Sequence, residues 1–99
     1  MNYRDLEAVR QIVTGATGLD ITYAYDDLVF PDNGVFIVQF DEQNNNNLFC
    51  YFQEDCNPAD RQNIFTSLSG ECAQKKCSIE LKGGYTLEQD GENIQIKFS

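Results

Sequence analysis

Histidine and tryptophan are absent from this 99-residue chain. Histidine is the commonest general base of enzymes and a frequent ligand of transition metals. Its absence excludes Ser-His-Asp and Cys-His catalysis outright. We therefore expect a protein that is not an enzyme and that has no cofactor and no metal site.

Lysine and arginine are absent from residues 11–60, a stretch that contains nine Asp and Glu residues. Elsewhere seven acidic residues are balanced by seven basic ones, so the whole net charge of −9 belongs to residues 11–60. A field of this sign repels phosphate backbones, which disfavours direct nucleic-acid binding, and it attracts basic partners. The same charge also keeps a small protein soluble, so alone it does not establish a partner.

Long apolar runs are absent too, and none approaches the roughly 20 residues needed to cross a bilayer. The N-terminal sequence MNYRDLEAVR has mixed charge and no apolar core, which predicts no signal peptide. We expect no membrane association and a cytoplasmic location. The length and an apolar content of 41% favour one globular domain over residues 1–99.

Two segments have helical periodicity. The first is predicted to begin near Asn2 and to end at Gly15. The second has Asn57 as its N-cap and Pro58 in its first turn, and it should end near 75–76. Apolar residues at helical spacing form one stripe on each helix: Leu6, Val9, Ile12 and Val13 on the first, and Ile64, Phe65, Leu68 and Cys72 on the second.

Strand-forming sequences predict six strands, over 21–30, 35–40, 48–53, 77–82, 85–88 and 94–98. Apolar and polar residues alternate clearly in the last three. Asp26-Asp27 interrupts the first and predicts a bulge there, and the sequence PDNG at 31–34 predicts a turn. The strands on either side of 41–47 are expected to pair Phe40 with Leu48. A three-residue turn over 82–84 and a two-residue turn at 90–91 are expected to join the last three strands.

The predicted fold is α+β, with elements in the order α-β-β-β-α-β-β-β. It is expected to be an antiparallel sheet with two helices packed mainly on one face. This order and the acidity are similar to those of secretion chaperones for effector proteins. The final helix of those chaperones has no counterpart here, so the sequence assigns no family.

The middle strands are apolar on both faces, which makes them the candidate functional site. Four apolar residues are expected on the face away from the helices: Val35, Ile37, Phe49 and Tyr51. Seven acidic residues are expected to ring this patch: Asp26, Asp27, Asp32, Asp41, Glu42, Glu54 and Asp55. Monomers rarely leave such a patch uncovered. The expected cover is one of the protein's own helices, a second copy of the chain, or another protein.

An apolar aromatic centre with a charged rim is typical of a protein interface. The leading hypothesis is a small acidic non-enzymatic binding module, of the inhibitor, immunity or chaperone-like adaptor kind. It would engage a basic or amphipathic protein partner through this sheet face. The alternative is a homodimeric structural or assembly subunit that uses the same face.

The four cysteines are spaced more widely than the knuckles of structural zinc sites: Cys50, Cys56, Cys72 and Cys77. Free and mostly buried thiols are the leading interpretation. A disulfide from Cys56 to Cys72 or Cys77, and a zinc site, are the alternatives. The paired acidic residues lack the spacing of a calcium-binding loop.

Overall fold

The computed structural model describes residues 5–32 and 35–98. Within them lie two helices and six strands, which in chain order are α1 (Leu6–Thr17), β1 (Ile21–Tyr25), β2 (Leu28–Pro31), β3 (Phe36–Phe40), β4 (Asn47–Gln53), α2 (Pro58–Gln74), β5 (Ser78–Asp90) and β6 (Asn93–Phe98). The strands form one sheet in the order β1 to β6, and this sheet curls into a half-barrel. The α+β class is correct. The predicted order of elements is wrong, because four strands precede α2 and two follow it.

The predicted strand over 21–30 is a hairpin of β1 and β2. Tyr25 pairs with Leu28, so Asp26 and Asp27 form the turn between the two strands. Asp26 has a φ of 54°, a left-handed conformation that aspartate adopts more readily than most residues. The two adjacent acids therefore reverse the chain, where the sequence predicted only a bulge. The chain also reverses between β2 and β3, and Asn33 and Gly34 of the predicted turn lie outside the described residues.

β4 and β5 run parallel, which contradicts the predicted antiparallel sheet. The chain between them includes α2, as parallel neighbours require a crossover connection. β5 continues through 82–84, where a turn was predicted. Cys50 pairs with Leu81 and Tyr51 pairs with Gly83, so Lys82 is an extra residue on β5 and forms a bulge.

The turn between β5 and β6 lies one residue later than predicted. Asp90 pairs with Asn93, and the turn is formed by Gly91, whose φ is 62°, and Glu92. Each residue of β5 therefore pairs two positions further along β6 than expected. A shift of two positions keeps every side chain on the same face.

The pairing of β3 with β4 is confirmed, from Phe36 opposite Phe52 to Phe40 opposite Leu48. Asn57 is confirmed as the N-cap of α2, because its Oδ1 accepts a hydrogen bond from Ala59 N at 2.8 Å. α1 differs from the prediction. Its N-cap is Asp5 and its C-cap is Gly18 with a φ of 76°, so the helix continues past Gly15. Asn2 lies outside the described residues.

Both helices pack on one side of the sheet. Their buried residues are Val9, Ile12 and Val13 of α1 and Leu68 and Cys72 of α2. They share one core with eight residues of the sheet: Val29, Phe36, Val38, Phe40, Leu48, Cys50, Phe52 and Ile79. We call this side of the sheet the helix face and the opposite side the open face. Leu6 of the predicted stripe is exposed.

The two helices approach closely at Gly15, where a Cβ atom would lie 2.8 Å from Cδ of Glu71. A larger side chain would therefore displace the Glu71 carboxylate. Neither α1 nor α2, the helices found within 5–32 and 35–98, is long and apolar enough to cross a membrane.

Candidate functional site

The bulge at Lys82 decides which residues of β5 lie on the open face. Ile79, before the bulge, belongs to the core on the helix face. Tyr85, after the bulge, belongs to a second cluster with Ile37 and Tyr51 on the open face. In an uninterrupted strand Ile79 and Tyr85 would point to the same side, because side chains alternate with a period of two. The extra residue therefore moves the apolar side chains of the second half of β5, and those of β6 opposite them, to the open face.

The centre of the predicted apolar patch is covered by the sheet itself. Ile37 is 1% exposed and Tyr51 is 8% exposed. The ring of Tyr51 contacts the ring of Phe98 in β6 at a centroid distance of 4.6 Å, and Tyr85 is buried beside them. The curl of the sheet places β6 over these side chains. The expected covers were a helix, a second copy or another protein, so this arrangement differs from all three. These side chains therefore do not require a second copy or a partner to shield them.

The other two apolar residues of the predicted patch are separated. Val35 packs against the core on the helix face. Phe49 remains partly exposed on the open face, where the ammonium nitrogen of Lys82 lies 4.0 Å from its ring centroid. Of the four predicted apolar residues, only Phe49 is therefore partly exposed on the open face.

The predicted acidic residues lie at two opposite ends of the strands and do not form one ring. Phe40 N donates a hydrogen bond to Asp27 O at 2.9 Å, which brings the β1–β2 turn beside the end of β3. We call this end of the sheet the acidic end, and its members are Asp26, Asp27, Asp41 and Glu42. The other three acids follow β2 and β4 at the far end: Asp32, Glu54 and Asp55.

Two tyrosines that the sequence analysis did not select lie on the open face beside the acidic end. Tyr25 is 64% exposed and Tyr23 is 56% exposed. Their rings stack at 6.4 Å, and the ring of Tyr23 lies 5.7 Å from that of Phe30. Tyr25, Leu28, Gln39 and Phe49 follow one another in register across β1 to β4. Ile21 packs on the helix face, so the register shift between Ile21 and Tyr23 is what places both tyrosines on the open face.

A chain of side-chain hydrogen bonds links the open face to the acidic end. The Tyr51 hydroxyl donates to Gln39 Oε1 at 2.8 Å, and Gln39 Nε2 donates to Asp27 Oδ2 at 2.8 Å. Burial raises the pKa of Tyr51, and the negative charge of Asp27 raises it further. Tyr51 is therefore a neutral donor at physiological pH, and Gln39 holds the Asp27 carboxylate in place.

A pocket of about 380 Å³ lies at the acidic end, lined by Asp27, Gln39, Phe40, Asp41, Glu42, Gln43, Phe49 and Lys82. Asp41 is fixed in it by hydrogen bonds from Asn47 Nδ2 at 3.0 Å and from Gln43 N at 2.9 Å. These bonds, chiefly that from Asn47, lower the pKa of Asp41. The pocket can therefore hold a cationic group between carboxylates and an aromatic ring, as it holds the Lys82 ammonium.

All four cysteines are free thiols. Burial raises the pKa of Cys50 to about 12 and also raises that of Cys72. The thiol of Cys77 donates to Cys72 O at 3.4 Å. The raised pKa values keep Cys50 and Cys72 in the weakly nucleophilic thiol form. No group of three or more cysteine or carboxylate side chains among the described residues is placed to hold a metal ion.

Comparisons of this chain with protein-family models, with curated proteins and with solved structures find no match. The chemistry of the open face and of the acidic end is therefore the basis on which a function can be inferred.

Proposed function

We propose that this protein is a small acidic non-enzymatic binding module that engages a basic or amphipathic protein partner through the acidic end of its open face. The observation that carries the proposal is the position of the two exposed tyrosines, Tyr23 and Tyr25. They lie beside the acidic end and on the same face as Phe49. We call Tyr23, Tyr25 and Phe49 together the aromatic surface.

The aromatic surface supplies the apolar part of such an interface. Tyrosine presents a large and rigid contact area at a small cost in side-chain entropy, and it is enriched among the residues that dominate binding energy. The stacking of Tyr23 and Tyr25 and the contact of Tyr23 with Phe30 already restrict these rings in the free protein. Less side-chain freedom then remains to be lost when a partner binds.

The acidic end supplies the electrostatic part. Carboxylates beside an apolar surface attract basic partners and speed their association at low ionic strength. Lys82 over Phe49 supports the same preference, because an aromatic ring near carboxylates favours a cation. A lysine or arginine of the partner would pair with the carboxylates of the acidic end beside Lys82. An inhibitor, immunity protein or chaperone-like adaptor would use such a surface to cover a basic region of its target.

The test uses a synthetic helical peptide of lysine and leucine with one basic and one apolar face, and isothermal titration calorimetry at low salt. We expect the wild type to bind it, and Tyr25→Ser to weaken binding about tenfold, as loss of one central aromatic contact would. Leu87→Ser is the matched control. Leu87 is 51% exposed on the same face but lies far from the acidic end, so this variant should bind as the wild type does.

Two results would overturn the proposal. One is equal affinity for a peptide in which glutamate replaces every lysine, because the acidic end would then contribute nothing. The other is an equal loss of affinity in Tyr25→Ser and Leu87→Ser. Circular dichroism of each variant confirms that the fold is kept.

A further inference from the structure

β6 lies at one edge of the sheet, and its outer side pairs with no other strand in the part of the chain that the structure describes. β4 pairs with β5 only as far as Tyr85, and beyond it residues 86–90 pair with β6 alone. The two strands therefore extend past the rest of the sheet as a ribbon. A two-stranded ribbon has little stability of its own in water.

The ribbon is apolar on its open face. Ile94 is 69% exposed, and Leu87 and Phe98 are also exposed there. An unpaired edge with exposed apolar side chains is a template for pairing with another strand. Natural edges are protected by charges, proline or bulges, whereas β6 contains one charged residue, Lys97.

We infer that β6 pairs antiparallel with β6 of a second copy of this chain, which gives a two-fold symmetric dimer with one continuous sheet. The sequence of β6 is self-complementary for this pairing. With Ile96 on the two-fold axis, Ile94 lies opposite Phe98 of the second copy on the open face. Gln95 lies opposite Lys97 on the other side. Apolar residues thus meet apolar residues, and no like charges stand opposite each other.

Charge within β6 does not oppose a second copy at this edge, because the only charged residue of the strand is Lys97. Lys97 is already paired with Glu88 across the ribbon at 2.9 Å. The other edge strand, β1, differs, because the same two-fold pairing about Tyr23 would place Asp20 opposite Asp26 of the second copy. Pairing at β6 therefore brings no like charges together, whereas the same pairing at β1 would.

The test is sedimentation velocity over a series of micromolar concentrations. We expect the wild type to dimerise and Ile94→Lys to dimerise at least about tenfold more weakly, because it places a charge in the apolar contact. Tyr23→Lys is the matched control, since it makes the same change in charge at an exposed apolar residue of the same face, at the opposite edge. It should dimerise as the wild type does.

Hydrogen exchange of the wild type gives a second measurement that does not depend on any variant. Amide protection in residues 93–98 should rise with protein concentration, while that in 21–25 should not change. A wild type that stays monomeric overturns the inference. A dimer that is equally stable in Ile94→Lys would also overturn it, as would a dimer that Tyr23→Lys dissociates. The same holds if amide protection rises with concentration in β1 and not in β6. The inference does not depend on the proposed function, because it uses the neutral half of the chain.

Discussion

At the scale of single residues, Gln39 connects the buried part of the open face to its acidic end. Its amide accepts from Tyr51 and donates to Asp27. Gln39→Leu leaves the Tyr51 hydroxyl, which is partly buried, without this partner. We expect a loss of about 1–3 kcal/mol in the free energy of unfolding, the usual effect of an unsatisfied buried polar group. Urea unfolding followed by circular dichroism measures it.

Tyr51→Phe combined with Gln39→Leu is the control for this prediction. The double variant removes both partners of the hydrogen bond, so it should be more stable than Gln39→Leu alone. If the double variant is less stable than Gln39→Leu, the contribution of Gln39 to the free energy of unfolding does not come from this hydrogen bond.

Some residues of the site could be predicted from sequence and others could not. The excess of acid in residues 11–60 is visible without a structure, and Phe49 was selected correctly as a residue of the open face. Ile37 and Tyr51 were also placed on that face, but their burial under Phe98 depends on the curl of the whole sheet. Tyr23 and Tyr25 were not among the predicted site residues. Their place on the open face depends on the register shift between Ile21 and Tyr23, which has no local sequence signal.

At the scale of secondary-structure elements, the ribbon of β5 and β6 should be the least stable part of the sheet. Residues 86–90 and 93–97 pair only with each other, whereas β3 and β4 have neighbours on both sides. We expect amides of the ribbon to exchange with solvent much faster than those of β3 and β4 in dilute solution. Hydrogen exchange followed by nuclear magnetic resonance measures both sets in one sample. Equal protection in the two sets would contradict the prediction.

The success of the element predictions depends on how local their signals are. The register of β3 and β4 follows from the apolar residues that must share one face and from the single loop that joins the two strands. The N-cap Asn57 follows from a few adjacent residues. The bulge in β5 has no such signal, because Gly83-Gly84 is as compatible with a turn as with a bent strand. The parallel pairing of β4 and β5 has no local signal either. It depends on where the crossover through α2 returns the chain to the sheet.

At the scale of the whole molecule, the chain divides into an acidic half and a neutral half with different proposed contacts. The acidic half presents the aromatic surface beside Asp27 and Asp41, and the neutral half presents the edge of β6. The division of charge was predictable from the sequence. The half-barrel was not, because its curl results from the combined twist of six strands and places Phe98 of β6 over Tyr51 of β4.

Recognition of a basic amphipathic chain by the acidic end of the open face is the proposal on which the function rests. The most direct test is to add the lysine–leucine peptide to isotope-labelled protein and to map the changes in backbone amide chemical shift. We expect the largest changes in residues 23–28, 39–42 and 49, and we expect them to decrease as salt is added, because salt screens exposed charges. Changes confined to the two helices or to the β5–β6 ribbon, or no change at all, would contradict it.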